Sequence, residues 1–472
     1  MSKPTNTPLE RRDFLKSCAV AGGAFALAPC PVGAGEAGNT KPNIVVMMSD
    51  DHSWCDVGFN ANPDVRTPNL DRLASRGMRL DHCYTTSAVC APSRFQFHSG
   101  RYPNETQFYG NNPKLVRRMQ FETTPSVLAA LGYRCVHIGK YHLEPITNYP
   151  FEYIYERMES YGKDYGRRAA EFIRDEMRQE SRPVYLLVPF REPHLDWGKA
   201  DKSVYDPAKL TVPPYMPHTP NSREALASYY TRISDLDRKI GNVLDALDAS
   251  GKAESTLVIW TSEQGMQVPR SKWTACDLGL RTAFVARWPG KIKPGSRTDA
   301  MVQYVDALPT LAEVAGGKAP EGIDGRSFLP ILLGSKSDHR DFVYGASGWR
   351  TFYSVRNHEH KYIWYSGHPA AFSYGFTDVG KHTKDHCFEQ QWQAAAEAGD
   401  PTAQWIVNWI ESPPLEELYD VRKDPYELDN LSEKGELAGV KADLRECLRA
   451  WLVEQRDHKL KLFDSAFPNV AK

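Results

Sequence analysis

Short, unbroken apolar runs alternate along this chain with segments whose apolar residues recur every three or four positions. Residues 43–48 (NIVVMM) are apolar throughout and end in Ser49-Asp50-Asp51-His52. A run this short, closed by polar residues, is what a strand covered on both faces requires. Thr67-Pro68 opens a helical pattern in which Leu70, Leu73 and Ala74 share a face and Gly77 ends the helix. Thr67 is its expected cap, and Pro68, which has no amide hydrogen to leave unpaired, suits its first turn. Residues 78–84 predict a second strand, 124–130 a helix stopped at Gly132, and 133–138 a strand leading into Gly139-Lys140-Tyr141-His142. Residues 184–188 (VYLLV) repeat the buried-strand pattern before Glu192-Pro193-His194. The longest helix is predicted over 222–249, where Leu226, Tyr230, Ile233, Leu236, Ile240, Val243 and Leu247 recur at helical spacing. Ser222 is its expected cap and Gly251 its stop. Residues 256–261 (TLVIWT) form the next expected strand, ending in Ser262-Glu263-Gln264-Gly265.

Strands alternating with helices predict an α/β fold with a doubly wound, mainly parallel sheet flanked by helices, since parallel neighbours need a crossover between them. Ligand sites in such sheets lie beyond the carboxyl ends of the strands, which is where the acidic and histidine-bearing pieces fall. From about residue 340 the pattern changes. Residues 344–356 and 362–365 read as short, aromatic-rich antiparallel strands and 438–454 as a helix. The expected division is a large domain over 41–340 and a smaller α+β C-terminal subdomain over 341–472 carrying a short antiparallel sheet. Residues 367–414 read as polar and irregular, either a substrate-facing insertion or a long surface excursion.

Composition alters this picture mainly at the amino terminus. The formal net charge of −1 over 472 residues leaves no electrostatic footprint for nucleic acid or a membrane surface. Nine cysteines are scattered without a CxxC pair, which excludes a zinc ribbon and a thioredoxin motif. Arg11-Arg12-Asp13-Phe14-Leu15-Lys16, followed by a short run of small apolar residues over 19–28, reads as a twin-arginine signal spanning 1–34. The expected location is therefore periplasmic or extracellular. The apolar run is too short for a transmembrane helix, and no other stretch suggests one.

Asp50 and Asp51 are adjacent carboxylates after a strand. Burying such a pair is costly unless a cation compensates, so they read either as oxygen ligands of a hard divalent ion or as a solvated turn. Glu263 and Gln264 supply two more oxygens from an equivalent position. The sharpest motif is Cys90-Ala91-Pro92-Ser93-Arg94, closed by Gly100. It resembles the signature of the type I (formylglycine-dependent) sulfatases of the alkaline phosphatase superfamily, with Ser99 and His98 where the family has threonine and leucine. KPNIVVMMSDDH, TPNLDRLASRG, GKYH (139–142), EPH (192–194), RSKWTACDLGLRTAFVARWPG (270–290) and LYDVRKDPYELDNL (418–431) resemble further family segments in the same order. WTSEQGMQVPRSKWT is similar to the heparan N-sulfatase-like branch.

The resemblance implies an alkaline phosphatase-like core acting as the catalytic domain, and a sulfuric ester hydrolase acting on a sulfated mono-, oligo- or polysaccharide. It implies that Cys90 is oxidised to formylglycine by a formylglycine-generating enzyme. For a twin-arginine substrate, exported folded, that step precedes export. The implied metal shell is Asp50, Asp51, Glu263, Gln264 and the modified Cys90, holding one divalent cation, calcium in most of the family. Glu263 and Gln264 depart from the commoner aspartate and asparagine or histidine. Arg94 would favour the alkoxide of the hydrated aldehyde, Lys140 and Lys272 would hold sulfate oxygens, His194 would protonate the leaving group, and His142 would act as base when sulfate is expelled. Two other readings are a phosphonate or phosphodiester hydrolase of the same superfamily and a non-catalytic binder of sulfated glycans. Asn111 or Asn112 is a candidate substrate contact. His358 and His360 read as an exposed strand pair rather than a metal site.

Overall fold

A computed structural model describes residues 41–111, 119–154, 164–195, 197, 202–347, 351–367 and 388–470. The expected signal over 1–34, Asn112, and much of 367–414 lie outside these residues. Eight strands form one sheet: β1 (Asn43–Ser49), β2 (Met78–Tyr84), β3 (Arg134–His137), β4 (Glu152–Tyr153), β5 (Val184–Pro189), β6 (Thr256–Ser262), β7 (Arg281–Arg287) and β8 (Ser296–Gln303), in the order β4-β3-β5-β1-β6-β7-β2-β8. All neighbours are parallel except β7, which runs antiparallel to both β6 and β2. The sheet is thus mainly parallel, as the alternation of elements predicts.

The central position of β1 explains its unbroken apolar run. Met47 lies opposite Val188 of β5 and Trp260 of β6, and all seven β1 residues are buried. Ile44, Val46 and Met48 pack on one face with Leu311 and Phe328, while Val45 and Met47 pack on the other with Leu236, Ile240 and Val243. Side chains of a strand alternate between faces, so helices on both sides demand apolar residues at every position. Each such side chain contributes about 1.5–3 kcal/mol through its removal from water.

A second sheet, β9 (Val343–Ser347), β10 (Phe352–Arg356), β11 (His360–Tyr365) and β12 (Glu416–Asp420), is antiparallel throughout, in the order β12-β11-β10-β9. The Ala438–Glu454 helix covers it with Leu444, Leu448, Trp451 and Leu452. No described helix is long and apolar enough to cross a membrane.

Three local expectations are corrected. Thr67 does not cap the Pro68–Ser75 helix with its side chain. The Asp237 carboxylate instead accepts from the Asn69 and Leu70 amides at 2.8–3.1 Å, and a charged acceptor satisfies those exposed donors more strongly. The long helix spans Pro220–Ser250 and is capped by Thr219, whose hydroxyl accepts from the Ser222 amide at 3.2 Å; Ser222 is buried inside the first turn. Gly251 ends it at φ 73°, a left-handed conformation that suits glycine. Finally, the region expected to be irregular contains two helices, Phe388–Glu397 and Pro401–Glu411, anchored by the buried Trp392, Ile406 and Trp409.

Candidate active site

The carboxyl ends of β1, β3, β5 and β6 converge, and the turns that follow them are tied by backbone bonds. The Asp50 amide donates to the Glu192 carbonyl at 3.0 Å, the Glu263 amide to the Ser49 carbonyl at 3.0 Å, and the Lys140 amide to the Pro189 carbonyl at 2.7 Å. Asp51 sits at φ 58°, a left-handed conformation that aspartate tolerates better than bulkier residues. Its carbonyl accepts from the Tyr229 hydroxyl of the long helix at 3.1 Å. Asp50, Asp51, Glu263 and Gln264 are fully buried.

Cys90 is the first residue of the Cys90–Ser99 helix, all of whose side chains are buried. Its Sγ lies 3.5 Å from Asp50 Oδ1 and 3.4 Å from Gln264 Nε2. Ligand atoms of Asp50, Asp51, Cys90 and His194 all lie within 4.8 Å of one another, the one such group of histidine, cysteine and acidic side chains among the described residues. Burial, reinforced by Glu263, pushes the Cys90 thiol well above its ordinary pKa. It therefore stays protonated at neutral pH and is a poor thiolate nucleophile.

Three cations line the cluster. Arg94 pairs through Nε with Glu263, and Lys140 pairs with Asp50 while lying 3.8 Å from Glu263 Oε1. Lys272 donates to Asp51 Oδ2 at 2.7 Å and reaches Gln267 Oε1 at 3.4 Å. Burial opposes ionisation of Asp50, but Lys140, His194 and Arg94 outweigh it and hold its carboxyl well below the usual range. Burial pushes the neighbouring Glu263 the other way, up to about 7, against the pull of Arg94. Burial and the charges of Lys140 and Arg94 drive His142 well below its ordinary pKa, and burial lowers His194 also. His194 Nδ1 lies 2.7 Å from the Leu195 carbonyl and so carries the proton; Nε2 faces Asp51 Oδ2 at 3.7 Å.

The residues fit a hard divalent cation. Asp50, Asp51, Glu263 and Gln264 offer oxygens, the donor such ions prefer. Gln264 places its amide nitrogen 2.6 Å from Asp51 Oδ1 and 3.2 Å from Glu263 Oε1, while its Oε1 is buried without a partner. The two ends of an amide are assigned from the surrounding bonds; a cation held by these carboxylates would favour the opposite assignment, with Gln264 offering its oxygen as a ligand.

Nine of the ten expected site residues are joined by direct contacts. His142 senses Lys140, Arg94, Asp50 and Lys272 electrostatically but makes no side-chain bond through its buried Nδ1. Asn111 Oδ1 accepts from the Ala91 amide at 3.2 Å and so helps hold the start of the Cys90 helix. His358 lies against His82, ring centroids 5.4 Å apart, and joins no metal-holding group among the described residues. Tyr229 and Ser93, whose hydroxyl donates to the Glu263 carbonyl at 2.6 Å, are supports that motif reading passed over. Tyr229 neighbours the apolar stripe that marks its helix, and a hydroxyl beside that stripe was its only signal.

Residues 42–317 match the family model described as Sulfatase, and residues 272–376 match that of the N-sulphoglucosamine sulphohydrolase C-terminal region. An ulvan-active sulfatase of Formosa agariphila is 29% identical over 88% of this chain and 81% of its own length. The human N-sulphoglucosamine sulphohydrolase is 26% identical over 88% and 90%. A protein solved in complex with its substrate D-glucosamine-2-N,6-O-disulfate superposes with a TM-score of 0.62 at 20% identity, over 89% of this chain and 99% of that one; a likeness at this identity speaks for the fold. With its signature cysteine at the start of a buried helix and against a buried acidic cluster, the chain belongs to the formylglycine-dependent sulfatase family.

Proposed function

We propose that this protein hydrolyses sulfate esters, or sulfamates, of a sulfated carbohydrate, with a nucleophile made by oxidising Cys90 to formylglycine. The observation that carries this reading is the placement of Cys90: buried at the first position of its helix and in contact with Asp50 and Gln264. A thiol held there is well placed as the precursor of a hydroxyl nucleophile beside a cation site. Relatives named as ulvan-active and N-sulphoglucosamine hydrolases support a carbohydrate substrate. We propose calcium as the ion, on the oxygen-rich donor set. Bound there, a divalent cation supplies positive charge that favours a deprotonated hydroxyl at position 90.

The chain's own residues supply the rest. Arg94 has a buried Nη2 without a partner, a donor in reserve for an oxyanion. Lys140 and Lys272 neutralise Asp50 and Asp51; two further positive charges among those carboxylates leave both lysines as surplus cations for sulfate oxygens. The Nδ1 bond of His194 fixes Nε2 as the atom that exchanges a proton with the leaving group. His142, kept neutral by burial and its cationic neighbours, is in the unprotonated form that a base requires.

The expected result is that mass spectrometry of the peptide spanning position 90, after co-expression with a formylglycine-generating enzyme, shows loss of the thiol and gain of an aldehyde. The matured protein releases sulfate from a sulfated saccharide, and Cys90→Ala lowers that release by at least about 10³-fold. An unmodified cysteine in an active preparation sinks the mechanism.

A further inference from the structure

The acidic cluster is built of buried side chains, and its open side is marked by groups that are only partly buried: His142, His194 and Trp273. Trp273 follows Lys272, whose Nζ lies 2.7 Å from Asp51 Oδ2. The same Nζ stands over the indole of Trp273, 5.3 Å from the ring centroid. One face of the indole is therefore turned toward the ammonium assigned above to a sulfate oxygen. Trp273 packs in none of the hydrophobic clusters formed by the described residues.

Nor does the turn call for this residue. Trp273 sits at φ 70° and Arg270 at φ 61°. A bulky side chain in the left-handed region is a strained arrangement that persists only where its surroundings enforce it; glycine serves such a turn at less cost. Several bonds do the enforcing. The Trp273 amide donates to the Ala88 carbonyl at 2.8 Å, the Lys272 amide to the Met266 carbonyl at 3.2 Å and the Thr274 amide to the Ser271 carbonyl at 3.1 Å. Arg270 donates to Glu417 Oε1 and to the Tyr419 hydroxyl, each at 3.0 Å. Ala88 lies just before Cys90 in the chain, so the bond from Trp273 fixes the indole relative to the nucleophile. A large ring that strains its backbone, joins no core and stands partly in water beside a site lysine is placed for a ligand rather than for the fold.

We infer that Trp273 is a stacking wall for the substrate, on which the pyranose ring bearing the scissile sulfate lays one of its C–H faces. A pyranose carries its hydroxyls around the rim and C–H groups on its faces. The electron-rich face of an indole attracts those slightly positive hydrogens for the same reason that it attracts the Lys272 ammonium. A tryptophan side chain has only two rotatable bonds, so holding it against a ligand costs little freedom. A sulfate held at Lys272 keeps its sugar within reach of the indole, because only one ester oxygen or amide nitrogen joins the two. The inference rests on the sulfatase reading above and adds a specificity-determining residue to it: Trp273 recognises the sugar and is indifferent to free sulfate.

The test is calorimetry on the full chain carrying Cys90→Ala, with inorganic sulfate and a panel of N- and O-sulfated hexoses and hexosamines as probes. At least one sugar of the panel binds this chain about ten-fold more tightly than sulfate ion, because it adds the stacked ring. Adding Trp273→Gly removes most of that margin and leaves the binding of sulfate ion within about two-fold. Trp273→Phe, which keeps a smaller ring, retains part of the margin. Glycine suits the φ of 70°, so the Tm with Trp273→Gly matches or exceeds that without it. In the matured protein Trp273→Gly lowers kcat/KM for the same sugar about ten-fold, chiefly through KM. Equal weakening of sulfate ion and sugar overturns the inference, since Trp273 then serves only to hold Lys272. A margin that survives Trp273→Gly overturns it too, as does a panel in which no sugar exceeds sulfate ion. A margin lost with Trp273→Gly, together with no sulfate release from any sugar by the matured wild type, leaves the stacking wall standing and removes the catalytic reading instead.

Discussion

Two of the buried ionic clusters among the described residues are built differently. At the strand ends Asp50, Asp51 and Glu263 face Arg94, Lys140 and Lys272. Farther along the chain Asp277 and Glu427 face Arg356 and Lys361: Arg356 pairs with Asp277 Oδ2, Lys361 Nζ lies 2.6 Å from Asp277 Oδ1 and 2.7 Å from Glu427 Oε1, and the Asp277 amide donates to the Glu427 carboxylate at 3.1 Å. In the second cluster none of the four side chains has a buried polar atom without a partner. In the first, Arg94 Nη2, Gln264 Oε1 and the adjacent His142 Nδ1 are all buried and unpartnered. Buried polar groups are normally satisfied. The second cluster is thus complete in itself and joins the Lys272-bearing segment to β10 and β11. The first has donors and acceptors set aside for groups the chain does not supply.

The largest stability effect is expected where the cluster is complete. Asp277→Asn leaves Arg356 and Lys361 short of a counter-charge, and breaking a buried pair in this way costs about 3–5 kcal/mol, readable as a lower urea midpoint with an unchanged slope. The same carboxyl gives a pH signature. Burial opposes its ionisation, but Arg356 and Lys361 prevail and hold its pKa below the ordinary carboxylate value. A depressed carboxylate contributes stability that is present above its unfolded pKa of about 3.9 and is lost as pH falls through the folded value. Wild type therefore loses stability below about pH 4 more steeply than Asp277→Asn. An Asn variant as stable as wild type breaks the contrast between the clusters.

The open cluster is expected to respond to a ligand that the closed one ignores. Calcium at about 100 times its dissociation constant stabilises the folded chain by about 2.7 kcal/mol, if it binds only the folded state. Thermal unfolding with calcium and with a chelator reads this as a shift in Tm. Asp51→Asn abolishes the shift, whereas Asp277→Asn keeps it on a lower baseline. Loss of the shift in both variants means that the clusters are not independent.

Of the two clusters, the residues of the open one were legible in the chain itself. A run of strand residues ending in Asp50-Asp51 or Glu263-Gln264 gives both the element and the side chains at its carboxyl end, because in a doubly wound sheet those ends face one site. The pairing of Lys140 with Asp50 and Lys272 with Asp51 was not legible, since it joins positions 90 and 221 residues apart. The closed cluster was invisible for the same reason: Asp277, Arg356, Lys361 and Glu427 lie in four segments, and only the pairing of β10 with β11 brings two of them side by side. The helices over Phe388–Glu397 and Pro401–Glu411 were missed because the long segment 367–414 was read as one irregular stretch; the signal was Trp405, Ile406 and Trp409 at helical spacing beside Pro401. The cap at Thr219 was missed because apolar periodicity begins only at Leu226, one and a half turns inside the helix.

That cap supplies the smallest effect and the scale for the others. The Pro220–Ser250 helix carries Tyr229, which holds the Asp51 carbonyl, yet its first turn lies away from the acidic cluster in sequence and contacts. Thr219 satisfies one otherwise unpaired amide at that end, and its Oγ1 also lies 2.9 Å from Ser222 Oγ. Thr219→Ala is expected to cost about 1 kcal/mol, within the 0.5–2 range of lost helix caps. Ser222 is a poorer probe of the same turn, since its hydroxyl also accepts from Trp392 Nε1 at 3.0 Å and ties down the Phe388–Glu397 helix. The calcium-induced rise in Tm should be the same in Thr219→Ala as in wild type. A smaller rise would mean that any loss of global stability weakens cation uptake, and the loss seen with Asp51→Asn could then no longer be assigned to a ligand. An equal rise confines that loss to the acidic cluster and leaves the orphaned Gln264 oxygen as the mark of where the cation binds.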